Sequence, residues 1–228
     1  MALSVIDNNL EQRRASLDQV LPLGFPLSLN IESTNLCNLK CFFCPREESS
    51  KGVGSIDYGL FCKVIDECAV KGPLKLINLH KDGEPLVHPR IFEMVQYIAD
   101  SGAAEEFGFT SNGIMLDEKR TDKLLKAGLN KISFSIDATS EESYERAKGR
   151  RKYSVVERNI RRFLSLKPDH VKVTVKFIRM QENAGEDKLF QSLWSDSGAE
   201  VVVSDYHDWS GSVRDSSLYG IAPMSVNA

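Results

Sequence analysis

Leu27-Ser28-Leu29-Asn30-Ile31-Glu32-Ser33-Thr34-Asn35-Leu36-Cys37-Asn38-Leu39-Lys40-Cys41-Phe42-Phe43-Cys44 is an apolar stretch running into three cysteines spaced Cys-x3-Cys-x2-Cys. Leu27 to Ile31 is short and apolar enough for a strand, so the cysteines sit on the loop that follows it. Three thiolates this close can hold three corners of a cubic iron–sulfur cluster and leave the fourth iron without a protein ligand. Clusters that only carry electrons usually take four cysteines, and structural zinc sites are closed by four ligands, so a missing fourth ligand argues for a reactive site. The competing reading is a zinc knuckle that borrows His80 or Cys62. Iron analysis separates the two.

Outward from this loop the chain alternates. Further apolar runs lie at Leu74 to Leu79, Glu106 to Thr110, Lys131 to Ile136, Val171 to Ile178 and Glu200 to Val203. Helical patterns separate the runs at Asp57 to Val70, Pro89 to Ser101, Asp117 to Ala127, Ser154 to Leu166 and Glu186 to Asp196. Successive strand–helix–strand units predict a parallel sheet with right-handed crossovers and helices on its outer face. Asp57 and Asp117 are placed as N-caps, while Gly72, Gly102 and Gly128 follow helices as stops. Asp7 to Val20 reads as an amphipathic helix ahead of the domain, ended by Pro22 and Pro26. After Ser204 the pattern weakens, and the tail with Trp209, Gly211 and Pro223 caps the barrel or begins a linker.

In a parallel α/β architecture ligands collect at the carboxyl ends of the strands. The cysteine loop follows the first strand, Asp82-Gly83-Glu84-Pro85 the second and Ser111-Asn112-Gly113 the third, while Ser135 and Asp137 close the fourth. Four polar motifs thus fall on one rim.

At 228 residues one domain is the default. A net charge of −3 gives no basic footprint, and Lys148 to Arg162 is the only strongly basic run, so no nucleic-acid partner is expected. The N-terminus lacks a signal-like apolar core and no stretch approaches ~20 apolar residues, which predicts a cytoplasmic protein without a membrane partner. Five cysteines, three of them clustered, fit a metal site in a reducing compartment better than a disulfide framework.

The cysteine spacing, Phe43 just before the third cysteine and the later Asp82-Gly83-Glu84-Pro85 resemble the radical S-adenosylmethionine (SAM) superfamily, over roughly Ser28 to Ser204. The resemblance implies an α/β fold, a partial (βα)6 barrel of the radical SAM type. It implies that Cys37, Cys41 and Cys44 ligate a [4Fe-4S] cluster whose open iron is chelated by S-adenosyl-L-methionine. One electron then cleaves that cofactor to a 5′-deoxyadenosyl radical, which abstracts a hydrogen atom from substrate.

The family pattern also assigns cofactor-side residues. Phe43 lies beside the adenine or packs as a loop aromatic, and Phe42 is core. Gly83 and Glu84 receive the methionine ammonium, with Asp82 standing where relatives often have glycine. Ser135 and Asp137 bond the ribose and carboxylate, and alternation puts Ser133 on their face. Asn112 is a site residue or the left-handed turn before Gly113. Lys148-Gly149 occupies the place of an Arg-Gly pair, with Arg150 and Arg151 adjacent; lysine there acts as a point charge on the cofactor carboxylate, or is a solvated basic turn. Asn183 and Glu186 also match a subgroup pattern, although Glu186 alone reads as a helix-start acid. Cys62 and Cys68 read as core thiols, His80 and His88 as hydrogen-bond partners, and His170 and His207 carry no signal.

The expected organisation is an N-terminal extension over 1–26, the core over 27–204 and a tail over 205–228. The core is most like the SPASM/twitch-type subgroup, but no cysteine follows Cys68, so the expectation is that the cysteine-rich extension of that subgroup is absent, truncated or encoded elsewhere. Expected partners are an electron donor such as flavodoxin or ferredoxin and a small-molecule or peptide substrate. The alternatives are methyltransferase-like use of the same cofactor and a non-catalytic zinc-binding interaction module.

Overall fold

The computed structural model describes residues 22–206. The helix expected at Asp7 to Val20 and the tail from His207, with Trp209, Gly211 and Pro223, lie outside the described residues. Six strands run β1 (Ser28–Asn30), β2 (Leu74–Asn78), β3 (Ala104–Ser111), β4 (Lys131–Ser135), β5 (Lys172–Arg179) and β6 (Glu200–Asp205). They form one sheet in the order β1-β2-β3-β4-β5-β6, and every neighbouring pair is parallel. Among the described residues β1 and β6 do not pair, so the sheet is an open, partial barrel.

The crossovers are α1 (Tyr58–Lys71), α2 (Ile91–Ser101), α3 (Glu118–Lys126), α4 (Glu141–Lys148), α5 (Tyr153–Leu166) and α6 (Asp187–Trp194). Asp57 and Asp117 cap α1 and α3, each accepting from a backbone N–H at 2.8 Å. Such a cap is worth about 0.5–2 kcal/mol.

The core lies between the sheet and these helices. Phe134 of β4 meets Phe163 of α5 with ring centroids 5.9 Å apart, and Phe177 of β5 meets Phe190 of α6 at 5.0 Å. Burying one such ring contributes about 1.5–3 kcal/mol. Because successive strand residues face opposite ways, the residues between these aromatics face the concave side. That inner face is polar. Glu106 of β3 there binds Lys131 of β4 at 2.6 Å and Lys172 of β5 at 2.5 Å.

One helix departs from the sequence expectation. Lys148 ends α4 and is buried, so it is not part of a solvated basic turn. With eight polar-rich residues α4 has no apolar stripe to give it away; its signals are the reciprocal Ser140–Ser143 capping box and the acidic start and basic end that complement the helix dipole. The basic run that begins there is also neutralised locally. Arg151 pairs with Glu142 and Glu145, Arg161 with Glu157, and Arg162 with Glu118.

Candidate active site

The segment entering the cysteine loop is braced before the first thiol is reached. Ser33, Thr34 and Asn35 are buried. Ser33 Oγ donates to Leu79 O at 2.8 Å, Thr34 Oγ1 to Gly54 O at 2.9 Å, and Asn35 Nδ2 to Gly52 O at 2.8 Å. Gly54 N returns a bond to Asn35 Oδ1 at 2.7 Å. Each pairing satisfies a polar group that would otherwise be buried unpaired, at a cost of about 1–3 kcal/mol.

Cys37, Cys41 and Cys44 follow as half-buried free thiols. Leu39 N donates to Cys37 Sγ at 3.4 Å, and Cys44 N to Cys41 O at 3.1 Å, curling the loop into turns. Burial pushes the Cys41 thiol up to about 11 against the pull of Lys148, and burial raises Cys37 as well. Cys37 and Cys41 therefore stay protonated at neutral pH, and metal loading must release their protons. Among the described residues no three His, Cys, Asp or Glu side chains close on one point as a single-ion site requires.

Glu84 is the pillar between the loops. Only 2% exposed, its carboxylate accepts from Leu86 N at 3.1 Å, Ser111 Oγ at 2.8 Å and Asn112 N at 2.7 Å. Its own N–H donates to Leu36 O at 2.8 Å. Burial raises its pKa, and these donors oppose the shift. Asn112 carries the link onward, with Nδ2 donating to Asn38 Oδ1 at 2.7 Å inside the cysteine loop. The left-handed turn belongs to Gly113, at φ 74°.

Gly83 is held tighter still. At φ 78° any side chain is strained, and a Cβ would lie 2.4 Å from Thr34 O and 2.7 Å from Leu36 O. Gly83→Ala is expected to push the cysteine loop off the turn and destabilise the fold by about 1–3 kcal/mol. Thermal melts and retained iron read the effect. An unchanged melt with full iron would contradict the close approach.

The third group centres on Asp137, at φ 59° the only non-glycine residue with positive φ among the described residues. Fully buried, its carboxylate accepts from Ile178 N at 2.8 Å, Ser135 Oγ at 2.6 Å and Lys148 Nζ at 2.5 Å. Its carbonyl takes Asn183 Nδ2 at 2.9 Å. Lys148 Nζ also reaches Ser135 Oγ at 2.9 Å and lies 5.0 Å from the centre of the buried Phe43 ring. Burial alone would lower the pKa of Lys148, but Asp137, with Cys41 and Tyr144, holds it above the ordinary lysine value.

Other sequence candidates stand apart. Arg151 is spent on α4 carboxylates, and Arg150 and His170 are exposed. Glu186 stands at the N-cap position of α6 without a side-chain cap bond; its carboxylate accepts from Thr139 Oγ1 at 2.6 Å and Thr139 N at 3.0 Å. His88 Nδ1 accepts from Arg90 N at 3.0 Å, a hydrogen-bond partner as expected. Burial lowers the pKa of His80, which bonds the Gly83 backbone. Cys68 is buried in the core on α1, Cys62 is half-buried beside it, and Phe42 is half-buried edge-on to Phe43 at 5.4 Å.

Sequence reasoning missed Tyr144, Asn38 and the Ser33-Thr34-Asn35 brace. Tyr144 is fully buried, and its hydroxyl has no hydrogen-bond partner among the described residues. It lies within electrostatic range of Lys148, Cys41, Asp137 and Glu84. An orphaned donor at that spot, three half-buried thiols on one loop and a buried cation fit an iron–sulfur cluster and a carboxylate-bearing cofactor.

Residues 31–181 match the sequence model of the radical SAM superfamily. The chain is 35% identical over 109 residues to the tungsten-containing aldehyde ferredoxin oxidoreductase cofactor-modifying protein of Pyrococcus furiosus, covering 48% of this chain and 30% of that protein. It is 30% identical over 188 residues to a probable GTP 3′,8-cyclase of Methanocaldococcus jannaschii, covering 78% of this chain and 58% of the other. The PqqA peptide cyclase of Gluconobacter oxydans is 25% identical over 202 residues, covering 85% of this chain and 53% of that protein. Among solved structures, SuiB of Streptococcus suis bound to precursor peptide SuiA superposes with a TM-score of 0.69 at 15% identity, covering 90% of this chain and 45% of that one. The chain spans about half the length of most of these relatives, and less of the first. It belongs to the radical SAM superfamily, enzymes that use a [4Fe-4S] cluster and S-adenosylmethionine.

Proposed function

We propose that Cys37, Cys41 and Cys44 hold the cluster, that Phe43, Gly83, Glu84, Asn112, Ser135, Asp137 and Lys148 form the SAM pocket, and that residues 27–204 are the catalytic core. The observation that carries this reading is the hydrogen-bonding capacity left over at the rim. An ammonium has three donors. Lys148 spends two, on Ser135 and Asp137. An ionised carboxylate has about four acceptor sites, and the protein fills three at Glu84. One spare donor and one spare acceptor suit the carboxylate and ammonium of an amino-acid moiety. On this reading Glu84 braces the loops with three of its acceptor sites and offers the fourth to the ammonium.

When bound, the two cofactors supply the radical chemistry that follows reductive cleavage of SAM. The protein supplies binding, orientation and exclusion of water. Lys148 presents a positive charge fixed by Asp137, and Tyr144 offers its hydroxyl beside Cys41. The inner face of β3 to β5 then receives the substrate, a small organic molecule or a peptide. Relatives named as nucleotide and peptide cyclases support both classes. A small electron-transfer protein such as flavodoxin or ferredoxin is the proposed reductant.

Anaerobically reconstituted and reduced protein is expected to convert SAM to 5′-deoxyadenosine and methionine without substrate. Iron and sulfide assays should approach about four of each per chain. The double variant Cys62→Ala/Cys68→Ala should keep that content. Zinc in place of iron, with no cleavage, would overturn the reading in favour of an interaction module.

A further inference from the structure

The inner face of the barrel carries a cation that makes no hydrogen bond or ion pair among the described residues. Lys176 of β5 pairs in register with Ser135 of β4 and Val202 of β6. Its neighbours Val175 and Phe177 are buried in the core against the helices, so alternation turns Lys176 to the concave side. The side chain is half-buried, and its ammonium has no hydrogen bond or ion pair among the described residues.

Of the charged groups around it, Asp137 and Lys131 are engaged in ion pairs and Glu200 is exposed. Asp137 is taken by Lys148, Ser135 and Ile178 N. Glu200 of β6 accepts from Thr174 Oγ1 at 3.1 Å, and Lys131 is bound to Glu106 at 2.6 Å. Burial pushes the Lys176 pKa below the ordinary lysine value, and Lys131 adds repulsion against the pull of Asp137 and Glu200. His80, in the loop that follows β2, also feels the charge of Lys176.

Closed parallel barrels fill their inner positions with branched apolar side chains. Here the buried positions Ser133 and Thr174 flank the lysine instead. A partly desolvated ammonium without a partner raises the energy of the free protein, and a bound anion removes that penalty. Lys148 cannot serve the same anion, because Asp137 and the cofactor pocket claim its donors.

We propose that Lys176 binds an anionic group of the substrate, a carboxylate or a phosphate, and holds the substrate on the inner face below the SAM pocket. This deepens the functional reading above and rests on it.

The test titrates pyrophosphate and, separately, glutarate into anaerobically reconstituted protein saturated with SAM, followed by calorimetry. Wild type is compared with Lys176→Gln and Lys176→Arg. Saturable binding of either anion to wild type, weakened about tenfold or more in Lys176→Gln and kept in Lys176→Arg, supports the assignment, and the preferred anion names its source. No saturable binding to wild type, or equal affinity in Lys176→Gln, overturns it. SAM cleavage by wild type is measured on the same sample. Missing cleavage counts against the cofactor reading, whereas cleavage without anion binding counts against Lys176 alone.

Discussion

Alanine at any one of Cys37, Cys41 or Cys44 is expected to abolish both the iron content of the reconstituted protein and its cleavage of SAM. A cubane that already lacks one protein ligand has no reserve, and two thiolates cannot retain it. No other thiol in the described structure can step in: Cys62 and Cys68 lie on α1, Cys68 within the core. Visible absorbance and iron analysis should fall to background in each variant while circular dichroism stays native, because all three thiols lie on a loop and are half-buried. Cleavage retained in any one variant would show that the ligand set is wrong.

The second large effect is expected from Lys148→Met. Asp137 is then left fully buried without its counter-ion, a loss of about 3–5 kcal/mol. Because the folded pKa of Lys148 is raised, its contribution is fully present below the unfolded value of about 10.4 and is lost only as pH rises through the folded one. A neutral-pH melt therefore reads the whole effect. Adding Asp137→Asn should restore most of the stability. The amide oxygen can still accept from Ile178 N, its NH2 can donate to Ser135 Oγ, and asparagine tolerates the left-handed backbone. SAM affinity, measured by calorimetry, should stay lost in the double variant. Full recovery of binding there would remove Lys148 from the pocket.

Strand order, the parallel sheet and the rim were legible because β-branched runs and glycine or proline stops alternate along the chain, and α1 and α3 begin at the aspartates that cap them. α4 was not, since a short helix whose buried face is Ser143, Tyr144, Ala147 and Lys148 carries no apolar period. The cysteines could be picked out by spacing, and Glu84 by the resemblance of Gly83-Glu84-Pro85 to a family segment and its place after the second strand. The bond between Asn112 and Asn38 joins residues 74 positions apart and leaves no local trace. Lys176 was hidden for the opposite reason: it sits inside the run Val171 to Ile178, which reads as core until the strand's two faces are told apart.

The brace formed by Ser33, Thr34 and Asn35 with Gly52 and Gly54 uses only protein groups, as does the Glu84 pillar. In small zinc domains the metal itself supplies the folding energy, and its removal unfolds the chain. Here the frame is held by bonds that need no iron. Stripping and reloading of the cluster is therefore expected to leave the fold in place, so that one polypeptide can be refilled after oxidative damage.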